Sequence, residues 1–222
     1  VDSKNAKSRV FILAAGEGSR WENYRGTQKH KLVIDGEVLI ERTVKQFLKY
    51  TDDVVVVGND KSYEVEGARC YIPPYHPRWL DMAKLYCTKN IWVEDRNVMV
   101  FGDVYFTDEA VKTIMTDNKE WRFYLRKEGS KLTGKPWREV FALAFEGSRN
   151  QVMKSDMESV IQRAIATKAG GWCLYRTLIA QYVGGDPFES DYYINIDDWT
   201  EDFDFPVDLD RWEEGRAIYK NT

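Results

Sequence analysis

Four apolar residues, Val10 to Leu13, run straight into Ala14-Ala15-Gly16-Glu17-Gly18-Ser19-Arg20, and this junction limits the architecture more than any other stretch of the chain. An apolar run without polar alternation is a strand buried on both faces. The glycines behind it let the backbone turn sharply and bring N–H groups close to a ligand with no Cβ in the way, which suits a polyphosphate. The rhythm then repeats. Leu39, Ile40, Val44, Phe47 and Leu48 recur at helical spacing, and Val54 to Val57 is a β-branched run stopped by Gly58. Strand, helix, strand, with both strands apolar throughout, predicts a parallel sheet covered by helices.

Further along, Leu80, Ala83, Cys87 and Ile91 predict a helix face, and Val98 to Phe101 a buried strand that breaks at Gly102 and Asp103. Asp108 to Met115 reads as a helix, and Trp121 to Arg126 and Val140 to Phe145 as strands joined by a charged loop. There the strict alternation ends. Ser155 with Glu158 predicts a capping box that opens a helix with Met157, Val160, Ile161, Ala164 and Ile165 on its apolar face, ended by Gly170 and Gly171. A helix from about Tyr175 to Val183, a turn at Gly184 to Asp186, a strand from Tyr192 to Ile196 and a last helix opened by Pro206 complete the pattern. A length of 222 residues suits one large domain over residues 1–222, with the polar residues 1–9 expected to be a flexible tail.

Composition narrows the function. A formal net charge of -4 is not the basic field that holds nucleic acid by its phosphates, so no nucleic-acid partner is expected. Cys70, Cys87 and Cys173 are odd in number, far apart and in no C-x-x-C pattern, which argues against a disulfide framework and a zinc site. No apolar run is long enough to span a bilayer, and the expected location is cytoplasmic. The glycine turn lacks the third glycine or alanine of a dinucleotide fingerprint, since Trp21 stands there, and lacks the Gly-Lys-Ser/Thr of a P-loop.

Leu13-Ala14-Ala15-Gly16-Glu17-Gly18-Ser19-Arg20, then Lys31-Leu32, then Gly36 with Leu39-Ile40-Glu41-Arg42, closely resembles the opening signature of the nucleotidyltransferase superfamily. The resemblance implies an α/β fold: a three-layer, Rossmann-like domain of the nucleotide-diphospho-sugar transferase type, shared with many glycosyltransferases, with a mainly parallel sheet between helices. It implies that Leu13, Ala14, Ala15, Gly16, Gly18 and Ser19 wrap a nucleoside triphosphate, that Arg20 holds its β- and γ-phosphates, and that Lys31 neutralises charge at the reacting phosphate. The family usually has Pro before this lysine; here His30 stands there, and Lys29 beside it is a possible substitute. Phe101-Gly102-Asp103-Val104 matches the family's Gly-Asp at a strand tip, which makes Asp103 a ligand of Mg²⁺ next to the nucleotide. Asp204-Phe205-Pro206-Val207-Asp208-Leu209 resembles the closing Asp-x-Pro-x-Asp-Leu, which makes Asp204 the second metal ligand, with Asp202 its near competitor. Carboxylate oxygens suit this hard ion.

The activity implied is transfer of a nucleoside monophosphate from the triphosphate to a phosphorylated small molecule, a sugar phosphate or phospho-alcohol, with release of pyrophosphate. Lys127 and Lys135, in the locally basic loop between the middle strands, are candidates for the acceptor's phosphate, against the plain reading of a solvated hairpin. A looser likeness to phosphocholine cytidylyltransferases raises Trp137, Trp172, Tyr175 and Trp199 as an enclosure for a quaternary ammonium, against core or rim packing. His30 and His76 have no metal-ligand spacing. The rival readings are a glycosyltransferase of the same fold, disfavoured because Asp103-Val104-Tyr105 lacks a second aspartate, and a non-catalytic nucleotide-binding domain, disfavoured by the retained Arg20, Lys31, Asp103 and Asp204.

Overall fold

A computed structural model of the chain describes residues 8–16, 18, 20–74, 81–164, 171–184 and 186–220. The opening apolar run forms β1 (Ser8–Leu13), longer at its start than expected because Ser8 and Arg9 already pair with the neighbouring strand. The glycine loop follows, and then a hairpin of β2 (Val33–Ile34) and β3 (Glu37–Val38). Its turn residues, Asp35 and Gly36, both have positive φ, 54° and 81°, the conformation that twists a two-residue hairpin correctly. Next come α1 (Leu39–Leu48), β4 (Val54–Val57), β5 (Arg69–Tyr71), α2 (Asp81–Tyr86) and β6 (Arg96–Phe101). The chain continues through β7 (Val104–Tyr105), α3 (Asp108–Thr116), β8 (Trp121–Arg126), β9 (Glu139–Glu146), α4 (Asn150–Ala164) and α5 (Gly171–Leu178). It closes with β10 (Tyr193–Asn195), β11 (Glu201–Asp202) and α6 (Pro206–Lys220).

The central sheet has the order β10-β8-β9-β6-β1-β4-β5. Strand β9 runs antiparallel to both its neighbours, and every other pair in the sheet is parallel. Because side chains alternate along a strand, the unbroken apolar runs feed two cores at once. Phe11, Leu13, Val55, Val57 and Met99 pack on one face with Leu85, Met153, Met157, Val160, Leu174 and Leu178 from α2, α4 and α5. Val10, Ile12, Val54, Val56, Val98 and Val100 pack on the other with Ile40, Val44, Phe47, Ala110, Val111 and Ile114 from α1 and α3. The result is the expected three-layer arrangement with a mainly parallel sheet.

The helices differ from the sequence reading in several places. Helix α4 starts at Asn150, so Ser155 lies inside it and caps nothing. A 3-10 turn at Gly147–Arg149 runs directly into the helix, and Asn150 is fixed by donating to the Val93 carbonyl (2.9 Å) and accepting from Asn97 (3.0 Å). The expected helix end at Gly170 lies outside the described residues, and Gly171 opens α5. Helix α5 stops at Leu178 and passes into a π-type turn, Ile179–Val183, rather than continuing regularly. Of the helix expected from Leu80 to Ile91, Leu80 lies outside the described residues, and among the rest Asp81–Tyr86 is α-helical, followed by a 3-10 turn at Lys89–Ile91. Among the described residues no helix is long and apolar enough to cross a membrane.

Candidate active site

Register explains where the site lies. Leu13 is level with both Val57 and Phe101, so β1, β4 and β6 end together and their following loops emerge at one edge of the sheet. Open α/β sheets bind ligands at this edge, beyond the carboxyl ends of the strands. Gly102 sits where β6 meets the first loop, its N–H donating to the Leu13 carbonyl (2.9 Å). A Cβ there would lie 3.1 Å from that carbonyl oxygen and from Ala14 Cβ, and 3.3 Å from His30, tighter than ordinary packing, so glycine lets the tip of β6 close on the loop without displacing its neighbours.

The far end of the chain is brought to the same place by a short ladder. Strand β11 pairs antiparallel with β7, Glu201 opposite Tyr105 and Asp202 opposite Val104, and the Phe203 N–H donates to the Asp103 carbonyl (3.1 Å). A third apolar cluster locks the arrangement: Trp21, Leu32, Ile34, Leu39, Tyr105, Phe203, Leu209 and Trp212, drawn from the glycine-loop side and from the chain's end. Tyr24 donates to Asp210 (2.9 Å) and Arg25 to Glu213 (2.8 and 3.0 Å), tying the loop's exit to α6.

Within this frame the sequence candidates separate. Arg20 donates to Asp204 (2.6 Å), with its guanidinium 5.2 Å from the Phe205 ring centre. Lys29 is buried, ion-paired with Asp103 and 3.8 Å from Asp204. Arg20, Lys29, Asp103 and Asp204 thus form one cluster. Lys31 points elsewhere, donating to Ser62 Oγ (2.7 Å) with its ammonium 4.8 Å from the Tyr63 ring centre. The structure therefore brings Lys29, not Lys31, to Asp103. Leu13 and Ala14 are fixed in the sheet edge, the Ala14 N–H donating to the Val57 carbonyl (2.8 Å). Ala15 is buried, Gly16 and Gly18 are half-buried, and Gly18 has the left-handed φ of 61° that its turn requires. Ser19 lies outside the described residues, as does His76.

Lysines surround the loop's floor. Lys84 of α2 lies against Gly16, with its Nζ 3.4 Å from where a Cβ would stand, a placement that sequence periodicity does not show. Burial, together with Lys29, Lys84 and Lys31 and against the pull of Asp103, holds the His30 imidazole down at about 4, so it is uncharged at neutral pH. Burial opposes the charge of Asp103, but Lys29 above all outweighs it and holds the carboxyl well below the usual carboxylate range. Burial likewise opposes Lys29, and Asp103 and Asp204 keep its ammonium charged beyond the ordinary range.

A second acidic group adjoins the first. Carboxylate oxygens of Glu139, Asp202 and Asp204 lie within 4.8 Å of one another, and Glu139 Oε1 is buried with no hydrogen-bond partner. Burial pushes the Asp202 and Glu139 carboxyls up, and each is raised further by neighbouring carboxylates. Hard oxygen donors in this number fit a divalent cation such as Mg²⁺. Glu139 carried no signal in the sequence, standing as one acid at the end of a basic stretch.

The two acceptor candidates differ. Lys127 is half-buried; its N–H donates to Asn195 (2.8 Å) and its carbonyl accepts from Arg138 (2.9 Å). Lys135 has a side chain only 1 % exposed and its ammonium is among carboxylates, bonded to Asp202 (2.6 Å) and 3.2 Å from Asp208. It is not on a solvated hairpin: its ammonium is held among those carboxylates. Of the aromatic candidates, Tyr175 is buried in the core, Trp172 packs against it (5.8 Å) and donates to the Arg138 carbonyl (3.0 Å), and Trp137 is exposed.

Known structures share this architecture at low identity. The fold is similar to that of a CTP:phosphocholine cytidylyltransferase from Streptococcus pneumoniae, at 14 % identity over 94 % of this chain and 98 % of that one, with a TM-score of 0.60. It is similar to an inositol-1-phosphate CTP transferase from T. maritima, at 11 % identity over 96 % of each chain and a TM-score of 0.59. A CMP:2-keto-3-deoxy-manno-octonic acid synthetase complexed with CTP has 12 % identity over 98 % of this chain and 100 % of that one, with a TM-score of 0.61. Identities this low carry the fold alone, and no curated protein matches the chain in sequence. The family model of the MobA-like NTP transferase domain matches residues 10–129, which spans the glycine loop, Lys29 and the Asp103 strand tip and is more than half of the chain. With the sheet edge, the loop and the fold in agreement, the chain belongs to the family of MobA-like NTP transferase domains.

Proposed function

We propose that the protein transfers a nucleoside monophosphate from a nucleoside triphosphate to the phosphate of a small-molecule acceptor and releases pyrophosphate. The observation that carries this reading is the convergence of Arg20, Lys29, Asp103 and Asp204 from separate segments of the chain beside a glycine loop. In the reaction an acceptor phosphate oxygen forms a bond to the α-phosphorus, the α–β bridging bond breaks, and pyrophosphate leaves with the electron pair. A phosphate monoester is already ionised near neutral pH, so no general base is required. That agrees with a site whose one described histidine, His30, is buried and uncharged.

The chain's own groups then have distinct tasks. Backbone N–H groups of the loop at Gly16 and Gly18 receive the triphosphate, and Arg20, with its side chain 53 % exposed at the loop's mouth, meets the outer phosphates. Lys29 sets a fixed positive charge where negative charge develops, the arrangement by which phosphoryl-group transfer is mainly accelerated. Lys84 adds charge beside Gly16. Asp103 and Asp204 would hold Mg²⁺, which when bound neutralises phosphate charge at the reacting centre. Lys127 is the candidate for the acceptor's phosphate, on the same loop that carries Lys135 to the acidic cluster.

The test is pyrophosphate release with Mg²⁺, each common nucleoside triphosphate and a panel of sugar and alcohol phosphates. Release is expected to need one triphosphate and one acceptor, and to fall by roughly 100-fold or more in Asp103→Asn. Undiminished release by Asp103→Asn would remove the assignment of Asp103. Silence with every triphosphate, together with transfer from a nucleotide sugar, would replace this reading with a glycosyltransferase.

A further inference from the structure

The ammonium of Lys135 is surrounded by anions to a degree that the proposed transfer does not use. Its Nζ is 2.6 Å from Asp202 Oδ1 and 2.7 Å from the Asp202 carbonyl, 3.2 Å from Asp208, 3.7 Å from Glu201 and 3.8 Å from Glu139. The Glu201 side chain is fully buried and is neutralised separately by Arg126 (2.8 Å), while Ser130 donates a hydrogen bond to the same oxygen (2.5 Å). Asp208 in turn accepts the N–H groups of Asp204 (3.1 Å) and Phe205 (2.9 Å), so the lysine also fixes the backbone that presents Asp204. Among the described residues Glu139, Asp202 and Asp204 are close enough to share one cation, and two of them already face Lys135.

We propose that Lys135 is a positioning residue that serves as a built-in cation. Its ammonium lies against Asp202 (2.6 Å) and Glu139 (3.8 Å), two of the three carboxylates that would otherwise gather a second divalent ion, and it ties Asp202 inward, so that Asp204, which pairs with Arg20 instead, is the closing carboxylate that faces the substrate's ion. Two-ion transferase sites place their metals about 3.5–4 Å apart and use both charges on the reacting phosphate. Here the charge that balances the second group of carboxylates is covalently attached to the chain. This inference rests on the proposed transfer reaction for the role of Asp204, but its own content is the ion count of the acidic cluster.

The experiment measures bound Mn²⁺ per chain by electron paramagnetic resonance, with Mn²⁺ in place of Mg²⁺ and no nucleotide. Lys135→Met is expected to bind one Mn²⁺ more than the wild type, Lys135→Arg the same number as the wild type, and Lys135→Met with Glu139→Gln to lose the extra ion. An unchanged count in a folded Lys135→Met protein, with only its melting temperature lowered, would overturn the proposal and leave the lysine a structural group. Should that variant not fold, Lys135→Gln, which keeps a donor for Asp202 without the charge, takes its place and must show the same gain. Asp202→Asn must also keep the wild-type affinity where Asp204→Asn weakens it by about 10-fold or more; equal weakening by both overturns the division of labour. A wild-type protein that binds no Mn²⁺ would count against the cation of the proposed reaction, while the difference between Lys135→Met and wild type still decides this inference.

Discussion

Replacing Lys29 by Met and, separately, Lys31 by Met distinguishes the two lysines by energy as well as by activity. Lys29 is 8 % exposed and faces Asp103 and Asp204, the latter at 3.8 Å. At an effective dielectric of about 20, a pair at that distance attracts by about 4 kcal/mol before desolvation is charged against it. Asp204 keeps Arg20 as a partner at 2.6 Å, so the loss falls mainly on Asp103, left without its ion-pair partner and with the more distant Lys84 to offset its charge. Breaking one side of a buried pair typically costs about 3–5 kcal/mol, and the lower end applies here because the Asp103 side chain retains 16 % exposure. Lys31→Met gives up a hydrogen bond to Ser62 and a cation–π contact at the surface, about 0.5–1 kcal/mol. Urea unfolding should therefore show a loss of about 3 kcal/mol for Lys29→Met. Pyrophosphate release should fall by roughly 100-fold in Lys29→Met and by only a few-fold, about 2–5, in Lys31→Met. The stability difference should also narrow in acid. Asp103 is held low by Lys29, so the stabilisation is present above the ordinary carboxylate pKa and is lost as pH falls through the lower folded value. A Lys31→Met protein that is inactive while Lys29→Met turns over normally would refute the argument and restore Lys31 as the reacting-phosphate lysine.

Two other perturbations test neighbouring parts of the site. Lys84→Met, which removes the ammonium lying on Gly16, should raise KM for the triphosphate by about 10-fold with kcat little changed, as loss of uniform binding does; an unaltered KM would place Lys84 outside the phosphate site. The raised carboxyls of Glu139 and Asp202 predict that stability, measured by denaturant unfolding in EDTA, falls as pH rises from the ordinary carboxylate range, about 4, towards and beyond neutrality. The sign follows from linkage, because over that window the native protein binds more protons than the unfolded chain. Glu139→Gln should flatten the slope, and a wild-type stability that rises over the same window would contradict the burial of these groups.

Most of the frame was legible because apolar runs and their breakers are local signals. β1, α1, β4 and β8 cover Val10–Leu13, Leu39–Leu48, Val54–Val57 and Trp121–Arg126, as the apolar runs placed them. The short ladders were not. β7 and β11 are two residues each, and their pairing joins segments nearly a hundred residues apart in sequence, so no local pattern foretells it. Ser155 misled for a related reason: a capping box is a local preference, and the bonds of Asn150 to Val93 and Asn97 start the helix earlier.

The two lysines show where residue-level inference stops. Lys29, His30 and Lys31 form a 3-10 turn, in which each residue advances about 120°, so residues two apart point to different sides and only one lysine can face Asp103. Which one does is decided by the rotation of the turn. That rotation is set by burial of Leu32 in the third core and by His30 packed against Gly102 and, edge to face, against Tyr63 (5.9 Å). With His30 directed inward, Lys29 is carried to the carboxylates and Lys31 to Ser62. The residue type at position 30 is therefore part of the site's specification although it contributes no charge. A smaller side chain there would free the turn to rotate, and the identity of the lysine at Asp103 would no longer be determined by packing.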